Sequence, residues 1–303
     1  MLRTHRTFAV LFVLILTSKT VIATVDWPGG YVVHVNTASP DGRYGVLVPT
    51  VEAWEKEESL SSAIYLADVK NHRVLGTIQN VDYFEHQNHR GLEVFWAPLS
   101  NICVIENDGR YGADSISVVE INDSSFIQTQ IGDRIQKSLD GAMKKQAHDP
   151  EVAGYVSPYF RFGTDRKVRV RALSQNNPKQ FEDVKTYYAL FQGTFDAAAK
   201  QWTVIDVRSI DGDQEDALAT AYSDLEHDFA QTTFENEKDR AQWLDQTMNK
   251  VYHALQFILP PRRFAAVKTE QLEWLRKLAA VEATEGKCKL MEARIEALQQ
   301  LLW

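Results

Sequence analysis

Cysteine is scarce in this chain: 303 residues hold two, Cys103 and Cys288. At most one bridge is open to it. Cys103 sits in the apolar run NICVIE and Cys288 in a helical stretch near the end. Each reads as a small buried apolar residue, so no bridge is expected. Nucleophile and nucleotide motifs are also missing. There is no G-x-S-x-G elbow, no P-loop and no G-x-G-x-x-G, and Gly91 and Gly109 stand alone. No nucleophile–base set can be assembled, so an enzyme is not expected. Beyond the first 23 residues, no apolar run is long enough to cross a bilayer. Positive charge is in deficit too, with 33 Lys and Arg against 41 Asp and Glu, a formal net of −8. That balance argues against nucleic acid and suits either plain solubility or a basic partner.

Metal ligands are few. His86 and His89 lie in EHQNHRGLE with Glu85 and Glu93, a polar loop short of the three or four fixed ligands that a zinc site needs. DGDQED begins like a calcium loop, but Asp216 stands where the turn glycine belongs and Tyr222 where the closing glutamate belongs. Neither a metal nor a cofactor is expected.

What is present begins at the N-terminus. MLRTHR is basic, residues 8–17 are apolar, and Val21-Ile22-Ala23 is a small-residue cleavage site. This is the pattern of a secretory signal peptide cut after Ala23, which predicts a periplasmic or secreted protein. Residues 24–210 alternate in short runs separated by turn residues: 31–35, 44–48, 63–69, 74–78, 92–96, 102–105, 116–121, 168–173, 187–195 and 202–207. Pro40-Asp41-Gly42 is a turn, and Lys70-Asn71-His72-Arg73 and residues 196–200 read as hairpin loops. One helical period interrupts the strands at Ile135, Leu139 and Met143. The stretches SPDGRYGV, YLADVKNHRVLGTI and VFWAPLSNICVIE resemble blades of propeller repeats that carry an S-P-D-G and a W-x-P-x-S turn. About two blades' worth of pattern implies a partial propeller or a plain antiparallel sheet rather than a closed ring.

From residue 211 the period becomes helical. Residues 211–245 hold eleven Asp or Glu against Lys238 and Arg240, and Leu218, Tyr222, Leu225 and Phe229 give that stretch one apolar face. Three more helical segments follow, punctuated by Pro260-Pro261 and by Gly286. Their expected apolar stripes are Leu244, Met248, Val251, Leu255 and Ile258; Phe264, Val267, Leu272, Leu275 and Leu278; and Leu290, Met291, Ile295, Leu298 and Leu302. Segments joined this tightly become antiparallel neighbours. The fold class is therefore α+β: an antiparallel β domain over 24–210, with propeller-like or sandwich-like hairpins, and a helical hairpin domain over 211–303.

The order LD-x-x-MN-x-x-Y-x-x-L, then Q-x-x-WL-R, then C-x-x-x-x-x-RI-x-x-L is similar to the LprI-like lysozyme inhibitor family. The resemblance spans roughly the last sixty residues and rests on Leu244, Asp245, Asn249, Tyr252, Gln271, Trp274, Arg276 and Arg294. In that family the hairpin is usually stapled by disulfides. Here only Cys288 remains, and Ala279-Ala280 stand where a partner cysteine would be. The resemblance implies an exported, non-catalytic protein that binds a protein partner, in the finer reading a lysozyme whose cleft it blocks. The alternative is an envelope structural or assembly protein that docks a partner chain through the hairpin. The eight residues are expected to hold the hairpin together or to contact the partner. Trp274 is expected to be largely buried, and Asn249 and Gln271 to bond the backbone or each other. Asp224, Glu226 and Asp228 are the acids expected to steer a basic partner.

Overall fold

The computed structural model describes residues 27–56, 63–163, 165–226 and 234–303. The signal-peptide reading of residues 1–23 falls outside them. The chain is α+β, with three antiparallel four-stranded sheets followed by a helical region. The first sheet is β1 (Tyr31–Val33), β2 (Tyr44–Pro49), β3 (Ile64–Asp68) and β4 (Arg73–Ile78), with α1 (Val51–Lys56) between β2 and β3. The second is β5 (Gly91–Trp96), β6 (Ile102–Asp108), β7 (Ala113–Asn122) and β8 (Ser125–Gln130). After α2 (Gly132–Ala147) comes the third: β9 (Tyr155–Phe162), β10 (Lys167–Gln175), β11 (Tyr188–Asp196) and β12 (Gln201–Ile210). Each sheet is a simple meander, its strands paired in chain order. Gly42 takes φ +66° in the turn into β2, a conformation that the Pro-Asp-Gly sequence supplies cheaply. The two expected blades are thus three meanders in an open stack, and the described strands form no closed ring.

Strand alternation explains how the sheets stack. On β6 and β7 the even residues Ile102, Val104, Ile116 and Val118 face the core shared with α2 and the third sheet. The odd residues Cys103, Ile105, Val119 and Ile121 face the core shared with the first sheet. The middle sheet is therefore apolar on both faces, as a layer covered on both sides must be. The third sheet does the same with its own neighbours. Val168, Val170, Ala172 and Phe191 point back toward α2, and Tyr159, Leu173, Leu190 and Ile210 point to the C-terminal helices.

Those helices are α3 (Gly212–Glu226), α4 (Glu237–Ile258), α5 (Pro261–Ala279) and α6 (Thr284–Leu302). Asn236 caps α4 by accepting from the amides of Lys238 and Asp239 at 2.9 and 3.0 Å. Pro261 opens α5, where its missing donor costs nothing. The break before α6 falls at residues 280–283, earlier than the sequence placed it, and Gly286 lies inside the first turn. A Cβ on Gly286 would sit 2.9 Å from Val281 Cγ1, so the glycine lets the connection fold back closely. In α3, Leu218 and Tyr222 are buried as expected. Phe229 lies outside the described residues.

Consecutive helices run antiparallel, as expected. Tyr252 meets Phe264 with ring centres 5.5 Å apart, and Met248 meets Gln271 further from the corner. The tightest packing is instead between α4 and α6, which run parallel: Cys288 approaches the Glu237 carbonyl, and Arg240 pairs with Glu292 at 2.5 Å. Cys103 and Cys288 are both free and belong to different cores, the first between two sheets and the second among the helices.

Two arginines of the third sheet hold this helical layer by its helix ends. Arg171, buried on β10, donates to the Leu302 carbonyl at 3.3 Å and to the Trp303 main-chain oxygen. Arg208 on β12 donates to the Phe257 carbonyl at 2.5 Å while pairing with Asp206. The last carbonyls of a helix lack intrahelical donors and carry the negative end of its dipole. The sheet thus supplies cations where α4 and α6 end. Sequence alternation puts Lys167, Arg169 and Arg171 on the face opposite Val168, Val170 and Ala172. The helical layer covers it at Arg171.

Candidate functional site

The eight motif residues divide by position. Leu244 is in the helical core, and Tyr252 closes the α4–α5 corner against Phe264. Gln271, buried on α5, accepts from Arg294 Nε at 2.8 Å and places its own amide 3.6 Å from Met248 Sδ. One glutamine therefore links α4, α5 and α6 at mid-height, and Arg294 also reaches Glu270 at 3.7 Å. A buried amide without partners would be costly, and these contacts supply them. Asn249 faces solvent and donates to Asp245 at 3.3 Å, so it pairs along its own helix rather than with Gln271. Arg276 is exposed.

Trp274 packs against the helical core as a partly buried residue. Trp274→Ala is accordingly expected to cost about 2 kcal/mol, between the values for a surface site and a fully buried aromatic. Thermal or urea unfolding measures it, and a cost near zero would place the indole on the binding surface alone.

The α5 stripe differs from expectation in an informative way. Phe264, Val267, Gln271, Trp274 and Leu278 face inward. Leu272 and Leu275 face outward, 51 % and 42 % exposed, one helical turn apart. Lys268 and Arg276 flank them, also exposed. Of the steering acids, Asp224 is held by Lys250 at 2.9 Å, which spends its charge within the protein. Asp228 lies outside the described residues, and Glu226 is the last residue of α3. Asp213 and Asp216 keep an open position, on a groove of about 460 Å³ between α3 and α4 that His253 and Phe257 also line.

A second concavity, of about 640 Å³, lies between the first and second sheets. The sheets are tied at their outer edges, where Gln79 and Gln128 exchange hydrogen bonds of 2.8 and 2.9 Å and Arg73 reaches the Asp123 carbonyl at 2.6 Å. At the opposite edges Trp96, at the end of β5, donates through Nε1 to the Thr37 carbonyl at 2.9 Å, and the cleft opens beside it between residues 34–36 and 91–95. His34 packs on Tyr83 with ring centres 4.8 Å apart. Burial lowers the His34 pKa, while Glu85 pulls the other way. Glu93 reaches the surface, yet the surrounding protein raises its pKa and Asp108 adds to the rise. Sequence reading considered Glu93 for metal and passed over His34 and Tyr83. The one available signal was a histidine ending the alternation of YVVHV. His86 and His89 do not line the cleft; each sits in a left-handed turn, with the His86 side chain 82 % exposed. No cluster of three or more metal-ligating side chains occurs among the described residues. No described helix is long and apolar enough to cross a membrane.

No family model, curated protein or solved structure matches this chain.

Proposed function

We infer that the chain is an exported, non-catalytic binding protein that meets a protein partner through its C-terminal helices. In its finer form, the partner is a lysozyme whose cleft the helices obstruct. The observation that carries the reading is the outward leucine pair of α5. A helix whose inner stripe already satisfies the core has no packing use for Leu272 and Leu275. Apolar side chains presented together on a rigid element, rimmed by charge, are what a partner buries. The internal polar residues of the motif, Gln271 and Arg294, support the same reading by fixing how α5 is presented. Steering of a basic partner then rests on Asp213 and Asp216 rather than on Asp224.

The test is a binding titration of the full chain against a panel of lysozymes at low salt, with cell-wall lysis followed in parallel. Saturable binding and slowed lysis are expected. The double variant Leu272→Asp/Leu275→Asp should lose about tenfold or more in affinity, since both sites are exposed and the fold does not need them. Failure of every lysozyme to bind removes the inhibitor reading. An envelope assembly role would then stand, with the stacked sheets as the platform that carries the helices.

A further inference from the structure

The cleft between β1 and β5 has a feature that the helical reading does not use. β5 is an edge strand, with β6 as its one strand neighbour among the described residues. Ala97, just past its end, donates to the Ile102 carbonyl at 2.9 Å. In an antiparallel ladder, hydrogen-bonded and non-bonded pairs alternate, so Phe95, Glu93 and Gly91 bond to β6. The main-chain groups of Leu92, Val94 and Trp96 therefore point away from β6, into the cleft that residues 91–95 line. His34 meets the Leu92 main chain from across the cleft. Val94, in the middle, is the open rung.

Proteins blunt exposed edges with proline, bulges, short strands or charged side chains. β5 has only the charge of Glu93: it runs six residues, with no proline and an unbroken register with β6. By contrast, the β3–β4 ladder carries a register shift. Acidic side chains share one face of this edge. Glu93 on β5 stands opposite Glu106 on β6, and Asp108 lies two residues further along the same face. Glu93 makes no ion pair among the described residues. A strand arriving on the open side would place one side chain opposite Glu93, and a cation is the residue that this face favours.

We propose that the free edge of β5 receives an extended segment of a partner polypeptide, as a fifth strand of the second sheet, with a lysine or arginine opposite Glu93. Main-chain bonds at Val94 supply the attachment, and the Glu93 pairing selects the sequence. The site is separate from the α5 face, so either can fail without the other.

The experiment uses the full chain and three blocked heptapeptides of alternating valine and threonine. One has a central lysine, one a central glutamate, and one the lysine sequence with alternate amides N-methylated. The lysine peptide is expected to bind saturably, and hydrogen exchange at the Val94 amide to slow by about tenfold or more when it does. The glutamate peptide should bind about tenfold more weakly. The N-methylated peptide, stripped of its donors, should not bind. Glu93→Lys alters an exposed side chain and is expected to reverse the preference between the first two peptides. No saturable binding of the lysine peptide overturns the proposal. So does binding without protection of Val94, and so does binding that N-methylation or Glu93→Lys leaves unchanged.

Discussion

Phe191→Ala is expected to destabilise the whole chain by about 4 kcal/mol, helices included. Phe191 is fully buried on β11 and faces α2 and the second sheet. Its ring lies 5.4 Å from that of Trp202, edge to face. Gly193 is glycine because of it: a Cβ there would sit 2.8 Å from the Phe191 ring. Removing the ring leaves a cavity that rigid strands on both sides cannot close. The residue makes no contribution to the helical core, yet its neighbour Leu190 does. One strand serves two cores, so a loss on one face loosens the platform for the other. Urea unfolding should show a lower midpoint with an unchanged slope.

Arg171→Ala is expected to cost about 3 kcal/mol, for a different reason. Arg171 is 3 % exposed, and its guanidinium answers the last carbonyls of α6. Burial lowers its pKa, an indication of the desolvation that those bonds offset. Truncation leaves the Leu302 carbonyl buried and the Trp303 oxygen part-buried without this donor, at about 1–3 kcal/mol for a buried unmet group. It also empties the space beside Trp303 and Tyr222, whose rings lie 5.5 Å apart. Burial pushes the Tyr222 hydroxyl up to about 12, so it stays neutral at any ordinary pH and adds no charge of its own to the gap. Arg171→Lys should fall between wild type and alanine, because an ammonium lacks the planar fork that reaches two carbonyls from one strand. Equal stability of all three proteins would show that the helix ends are held by packing alone.

Much of this fold was legible in the sequence, and the exceptions have physical reasons. The strands with clear alternation and the helix through Ile135, Leu139 and Met143 lie where the pattern puts them. β8 was missed because SFIQTQ is a polar edge strand with no buried residue. β9 was missed because Pro158 interrupts YVSPYFRF; as an edge strand of its sheet, β9 can hold a proline. The α5 stripe was assigned to Leu272 and Leu275 because leucine outranks glutamine in any apolar count. Only Arg294 and Met248, distant in sequence, make Gln271 the better inward residue. The role of Arg171 was hidden in the same way, since the covering helix is more than a hundred residues away. The cleft at β5 is a property of two edges from different sheets, and no local pattern announces it.

The C-terminal helices form the last layer of one stack and share a core with the third sheet. Native-state hydrogen exchange across a urea series tests it most directly. Amides in β10 and β11 should open in the same cooperative step as those in α4 and α6, with the same free energy and the same urea dependence, and Arg171→Ala should lower both together. Opening of α4 and α6 at low urea, while β10 and β11 keep their full protection, would contradict it.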